Sequence, residues 1–163
     1  MRHPFLVLVA IVCIGVAILA ELFYFRFHTY FQRIEIQEML PSSSASFPEE
    51  DQEIRIIVQG LFVAVDAIHK GSGNARIVEQ GEKRYLRLED FNVTNGPDLY
   101  VYLSESTAPQ GTLQSLDRYV NLGLLKGNAG NQTYEIPEAF QGYNTVVIWC
   151  QQFGVLFSYA VMY

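Results

Sequence analysis

The sequence is poor in the residues from which metal centres and disulfide scaffolds are built. It holds two cysteines, three histidines and one tryptophan in 163 residues. Cys13 sits in an apolar N-terminal run and Cys150 far down the chain, which excludes an internal disulfide framework and leaves an odd thiol. His69 is the only histidine in residues 53–163, with no second histidine at zinc-like spacing. The nucleophile-elbow pattern Gly-x-Ser-x-Gly is absent, and so is the phosphate-loop pattern Gly-x-x-x-x-Gly-Lys-Ser/Thr. Positive charge is scarce as well, with 11 Lys and Arg against 17 Asp and Glu and a net charge of −6. Such a balance gives no basic face for nucleic acid. No internal repeat is visible.

What is present is apolar: 50% of residues, with 13% aromatic, enough for a real core. The first apolar block, residues 5–20, carries no charge and is followed by Glu21 and four more apolar or aromatic residues. That is about the length needed to cross a bilayer, roughly 20 residues. A cleaved signal peptide competes with this reading, and the apolar character running past the candidate processing sites favours a membrane anchor over residues 1–25. Residues 26–40 are expected to continue the anchor helix as a juxtamembrane stalk. Residues 41–52, rich in serine, proline and acid, read as a linker. The expected placement is a single-pass protein of the cell membrane, touching the lipid bilayer through that helix, with its C-terminal domain extracytoplasmic.

From residue 53 to 163 the pattern is β. Strands are expected over 54–65 with a kink at Gly60, 75–79, 84–91, 99–104, 119–125, 133–136, 145–150 and 155–162. Gln80-Gly81-Glu82-Lys83 reads as a hairpin loop and Gly71-Ser72-Gly73-Asn74 as a turn. Asn95-Gly96-Pro97-Asp98 reads as a turn with Gly96 at positive φ. Short strands at this spacing, with no helix signal after the linker, indicate an all-β sandwich or barrel-like domain behind one transmembrane helix.

Two side chains carry the candidate chemistry. Cys150 ends the run Thr145-Val146-Val147-Ile148-Trp149-Cys150, which reads as a strand buried on both faces. Parity puts Val146, Ile148 and Cys150 on one face, and Val147 and Trp149 on the other. A buried thiol is inert, with its pKa above the free value of about 8.5, and no basic residue lies within two positions of Cys150. A reactive or ligating thiol requires the strand to end at Cys150, at the rim of the sandwich near Phe153, where His69 or Lys126 approaches it. His69, beside a glycine turn, reads as a ligand or base on one side and as an exposed loop residue on the other. Gly127-Asn128-Ala129-Gly130-Asn131 lacks a following helix and reads as a turn rather than a phosphate site. Glu89, Asp90 and Asp98 read as surface acids.

Several segments occur together in order. They include Gly60-Leu61-Phe62, His69-x-x-x-Gly73-x-Ala75, Tyr85-Leu86-Arg87-Leu88-Glu89-Asp90-Phe91 and Asn95-Gly96-Pro97-Asp98-Leu99-Tyr100-Val101-Tyr102-Leu103. They continue through Leu122-Gly123-x-Leu125-Lys126-Gly127-Asn128 to Trp149-Cys150-x-x-Phe153. The ordered set resembles the DM13 domain family over roughly residue 54 to the C-terminus. The resemblance implies a β-rich extracytoplasmic module with a role in electron transfer, served by a separate redox protein partner. It also implies that the cysteine at position 150 acts as a naked redox thiol or holds a prosthetic group such as haem; His69, on its residue type alone, is the second candidate ligand. The alternative is a non-catalytic binding or scaffold module of the same fold, with Cys150 packed in its core.

Overall fold

The computed structural model describes residues 4–24, 32–40 and 54–163. The linker expected over 41–52 lies outside the described residues, as does the part of the expected stalk before residue 32. A helix, α1 (Pro4–Tyr24), stands where the sequence places the anchor. Its described side chains are exposed. Among the described residues no helix is long and apolar enough to cross a membrane. Glu21 ends the uncharged part of α1, which at 1.5 Å per residue measures about 25 Å against a hydrocarbon core of roughly 30 Å.

The rest is β. One sheet has the order β1-β8-β5-β4-β2 and the other β3-β10-β9-β6-β7, five strands each. The first is built from β1 (Glu35–Gln37), β2 (Arg55–Leu61), β4 (Gly71–Gln80), β5 (Lys83–Val93) and β8 (Ala129–Glu135). The second holds β3 (Val63–Ala64), β6 (Leu99–Ser104), β7 (Tyr119–Leu124), β9 (Thr145–Cys150) and β10 (Val155–Val161). Of the two all-β architectures the sequence allows, this is the sandwich. One core joins Ala75, Ile77, Leu86, Leu88 and Phe91 of the first sheet to Val101, Leu103, Val146, Ile148 and Ala160 of the second.

The chain changes sheets at Phe62, not at the expected kink Gly60. Phe62 is buried and packs edge-on against Phe91, with ring centroids 4.9 Å apart, while its neighbours Leu61 and Val63 face solvent. The apolar anchor therefore sets the corner. Gly71-Ser72-Gly73-Asn74, expected as a turn, is the first part of β4. Its glycine serves a bulge instead: Gly73 (φ 104) faces Asp90 (φ 48), and the β4–β5 register shifts there. The expected hairpin at Gly81 is present, with Gln80 paired to Lys83.

The expected helical stalk is also corrected. Within its described part, Glu35–Gln37 is a strand running parallel to β8. Polar contacts fix it: Asn128 Oδ1 accepts the Ile34 N–H at 2.7 Å, and Glu38 accepts the Thr133 N–H at 2.9 Å and binds Lys126 Nζ at 2.8 Å. The glycine and asparagine stretch 127–131, read as a turn, is the seat of this strand and the start of β8. A Cβ on Gly127 or Gly130 would strike the backbone of Ile34 or Ile36.

Candidate functional site

Strand β9 is buried at every position, and the two faces expected from parity are the two faces observed. Val146, Ile148 and Cys150 point into the core between the sheets. Val147 and Trp149 point outward and are still covered, because Leu116 of a short 3-10 helix (Leu113–Leu116) folds over them with Tyr102 and Leu156. Hydrogen bonds close that cover: Ser104 Oγ donates to Leu116 O and Thr145 Oγ1 to Ser106 O, each at 2.6 Å.

Cys150 is the last residue of β9 and pairs with Leu99 of β6 and Val155 of β10. It stands at the rim of the sandwich in sequence and register. It is nonetheless fully buried, with no exposed surface. Burial pushes its thiol above the ordinary range; backbone hydrogen bonds from Phe153, Asp98 and Gln152 pull it down, and the Asp98 charge pushes it up. The turn at 151–154, pinned by the Gln151 N–H donating to Asp98 O at 2.9 Å, lies next to the thiol in sequence.

His69 belongs to the loop between β3 and β4. Asp66 organises that loop, as Asx turns do: its Oδ1 accepts the N–H groups of Ile68 and His69 at 2.7 Å each, and its Oδ2 lies 2.7 Å from His69 Nδ1. The His69 side-chain hydrogen bond holds the Asp66 carboxyl down at about 2, helped by the backbone of His69 and Ile68. The imidazole rests edge-on against Phe157, ring centroids 4.6 Å apart. Beside it opens a cavity of about 330 Å³, walled chiefly by Ile68, His69, Thr94, Phe153, Val155 and Phe157.

Sequence reading named His69 and Cys150 and missed Asp66, whose signal was its position three residues before the histidine. The structure sets both candidates near Val155, which pairs with Cys150 and lines the cavity that His69 also lines. It does not join them by a hydrogen bond or ion pair. Lys126, the other expected neighbour, is engaged elsewhere, with both Glu38 oxygens, Thr133 O and the Tyr134 ring. Glu89 is held by Arg76 and Arg87 rather than by another acid. Among the described residues no cluster of three or more His, Cys, Asp or Glu is placed to hold a metal ion.

The fit to haem is poor. Cys150 presents no surface to the cavity beside His69 and is absent from its walls. A macrocycle has no common opening on these two side chains, so haem ligation by the pair does not follow from this arrangement.

The comparison with known families agrees with the motifs. The model of the family described as "Electron transfer DM13" matches residues 62–162, well over half the chain. The match takes in the whole of β3 to β10, with both candidate residues, and leaves α1, β1 and β2 outside. No curated protein and no solved structure matches. The chain belongs to the DM13 electron-transfer family.

Proposed function

We propose that the protein is a membrane-associated, extracytoplasmic electron-transfer module in which Cys150 is the group that changes redox state, served by a separate redox protein. The family supports the redox role in general terms. The observation that carries the residue assignment is the thiol's position: it closes β9 directly before the 151–154 turn. Membrane association rests on α1, whose run from Val7 to Leu22 displays exposed valine, isoleucine and leucine. An apolar face of that size on one helix calls for a cover, and a bilayer supplies it.

The complete burial of Cys150 favours a second reading, a structural cysteine in a binding module. The two differ in how the thiol is reached. In the redox reading a sulfur attack on a disulfide needs only local opening of the 151–154 turn. With Cys13 replaced by serine, oxidised glutathione is added to the folded chain: the thiolate attacks the disulfide, a protein–glutathione disulfide forms and reduced glutathione leaves. The expected result is modification faster than global unfolding, and faster again in Gly154→Ala, where φ 63 disfavours a Cβ and loosens the turn. Modification only at the rate of global unfolding leaves the structural reading standing.

A further inference from the structure

We propose that the cavity beside His69 is a binding site for an apolar ring carrying a hydroxyl group, a phenol or hydroquinol, with His69 Nε2 accepting the hydroxyl hydrogen. At about 330 Å³ the cavity has room for a substituted ring; an apolar cavity of about 150 Å³ already holds benzene. Its walls from Phe153, Val155 and Phe157 offer aromatic and aliphatic contact on β10 and the turn before it. Three polar side chains line it, Thr94, Asn95 and His69; Thr94 Oγ1 accepts the Lys70 N–H, Asn95 Oδ1 accepts from Asn128 Nδ2, and the His69 ring is fixed by Asp66. Asp66 Oδ2 lies 2.7 Å from His69 Nδ1, while Asp66 Oδ1 is itself held by two backbone N–H groups. The carboxylate accepts the Nδ1 hydrogen, so the neutral imidazole carries its lone pair on Nε2. That nitrogen has no hydrogen-bond partner among the described residues. Phe157 fixes the ring plane from the side.

In this largely apolar pocket the oriented Nε2 acceptor distinguishes a ring with a hydroxyl from the same ring without it. Ile68 and Phe153, 74% and 48% exposed, stand on two neighbouring loops at the mouth, where an apolar ligand would enter. The ligand has two sources, a free phenol or a quinol carried in a membrane. The site goes beyond the redox reading and does not use Cys150.

The test uses the full-length chain in amphipol, with protein-free amphipol as the blank, and two matched probes, 4-fluorophenol and fluorobenzene. Binding is read by fluorine NMR, and the His69 tautomer by long-range proton–nitrogen NMR with His3 and His28 replaced. The expected results are Nδ1–H imidazole, a shift of its Nε2 signal with 4-fluorophenol alone, and affinity for 4-fluorophenol about tenfold above fluorobenzene, the value of one neutral hydrogen bond. Asp66→Asn is expected to bring the two affinities within about twofold, and Ile68→Glu, on an exposed loop position, to lower both. Equal affinities in the wild type, an Nε2–H tautomer, or binding untouched by Ile68→Glu each overturn the proposal. Cys150→Ala is expected to bind as the wild type does, so failure of the thiol's redox role leaves this result readable. A decyl-substituted benzohydroquinone in phosphatidylcholine vesicles that binds more tightly than the free headgroup identifies the membrane source; equal binding identifies the soluble one.

Discussion

At the scale of single residues, the side chains that matter are set by what surrounds them rather than by their own type. Gly96 shows this well. Its φ is not in the left-handed region, contrary to the turn expected from Asn95-Gly96-Pro97. A Cβ there meets Leu99 Cδ2 at 2.7 Å and Phe157 Cζ at 2.8 Å, so the glycine is needed for close packing. Gly96→Val is expected to destabilise by about 1–3 kcal/mol through overpacking, with Gly96→Ala intermediate, as measured by denaturant unfolding. A melting point unchanged in both variants would remove Gly96 from the contact that positions Phe157. Cys150 is the same lesson in the opposite direction. Its type suggests reactivity, and its full burial leaves it to be reached only when the 151–154 turn opens.

At the scale of elements, β1 is the least expected feature. Three residues pair parallel to β8 without a hairpin to hold them, and parallel pairing is the weaker kind. Glu38 supplies much of the attachment. Burial alone would raise its pKa, but Lys126, the Thr133 N–H and Arg87 outweigh it and the net value is lowered. A depressed carboxylate stabilises above its unfolded pKa and loses that contribution as pH falls through its folded one. Amide exchange at Ala129, Asn131 and Thr133 is therefore expected to accelerate below about pH 4.3, the ordinary glutamate value, and Glu38→Gln to show that acceleration already at neutral pH. Exchange that is independent of Glu38 would show that the backbone pairing holds β1 unaided.

At the scale of the whole molecule, pH stability follows from the same signs. Asp66 is held at about 2 by His69, and Glu79 is lowered by its hydrogen bonds to Arg55 and Arg84, so both stabilise above their unfolded values and fade in acid. Burial raises Cys150, Tyr102 and Tyr134, whose contributions are complete below their unfolded values and fade as pH rises through their folded ones. Thermal melts are expected to show a plateau between about pH 5 and 8 with loss on both sides. In Asp66→Asn the part of the acid limb reaching down toward pH 2 should disappear. The proposal of membrane association is tested at this scale too: the full-length chain is expected to resist extraction by alkaline carbonate. Release into the supernatant would show that α1 does not hold it in a bilayer.

The sequence by itself determined the strands that carry alternation or a continuous apolar run. Leu99–Ser104 and Thr145–Cys150 match the expected bounds, and the parity of β9 sorted its side chains onto the right faces. Period and β-branching are local properties, legible without a neighbour. Glycines were read less well. Gly73 makes a bulge, Gly96 a close contact and Gly130 a seat for β1, and each role depends on a residue distant in sequence. The short segment at Glu35–Gln37 has too few residues to show a period, and only β8 makes it a strand. Tertiary structure alone decided that the thiol is covered, because the turn beyond it and the opposing sheet close over a position that chain order places at the rim. It alone also set His69, held by Asp66, and Phe157 around one cavity, since that meeting requires the β3–β4 loop and β10 to pack side by side.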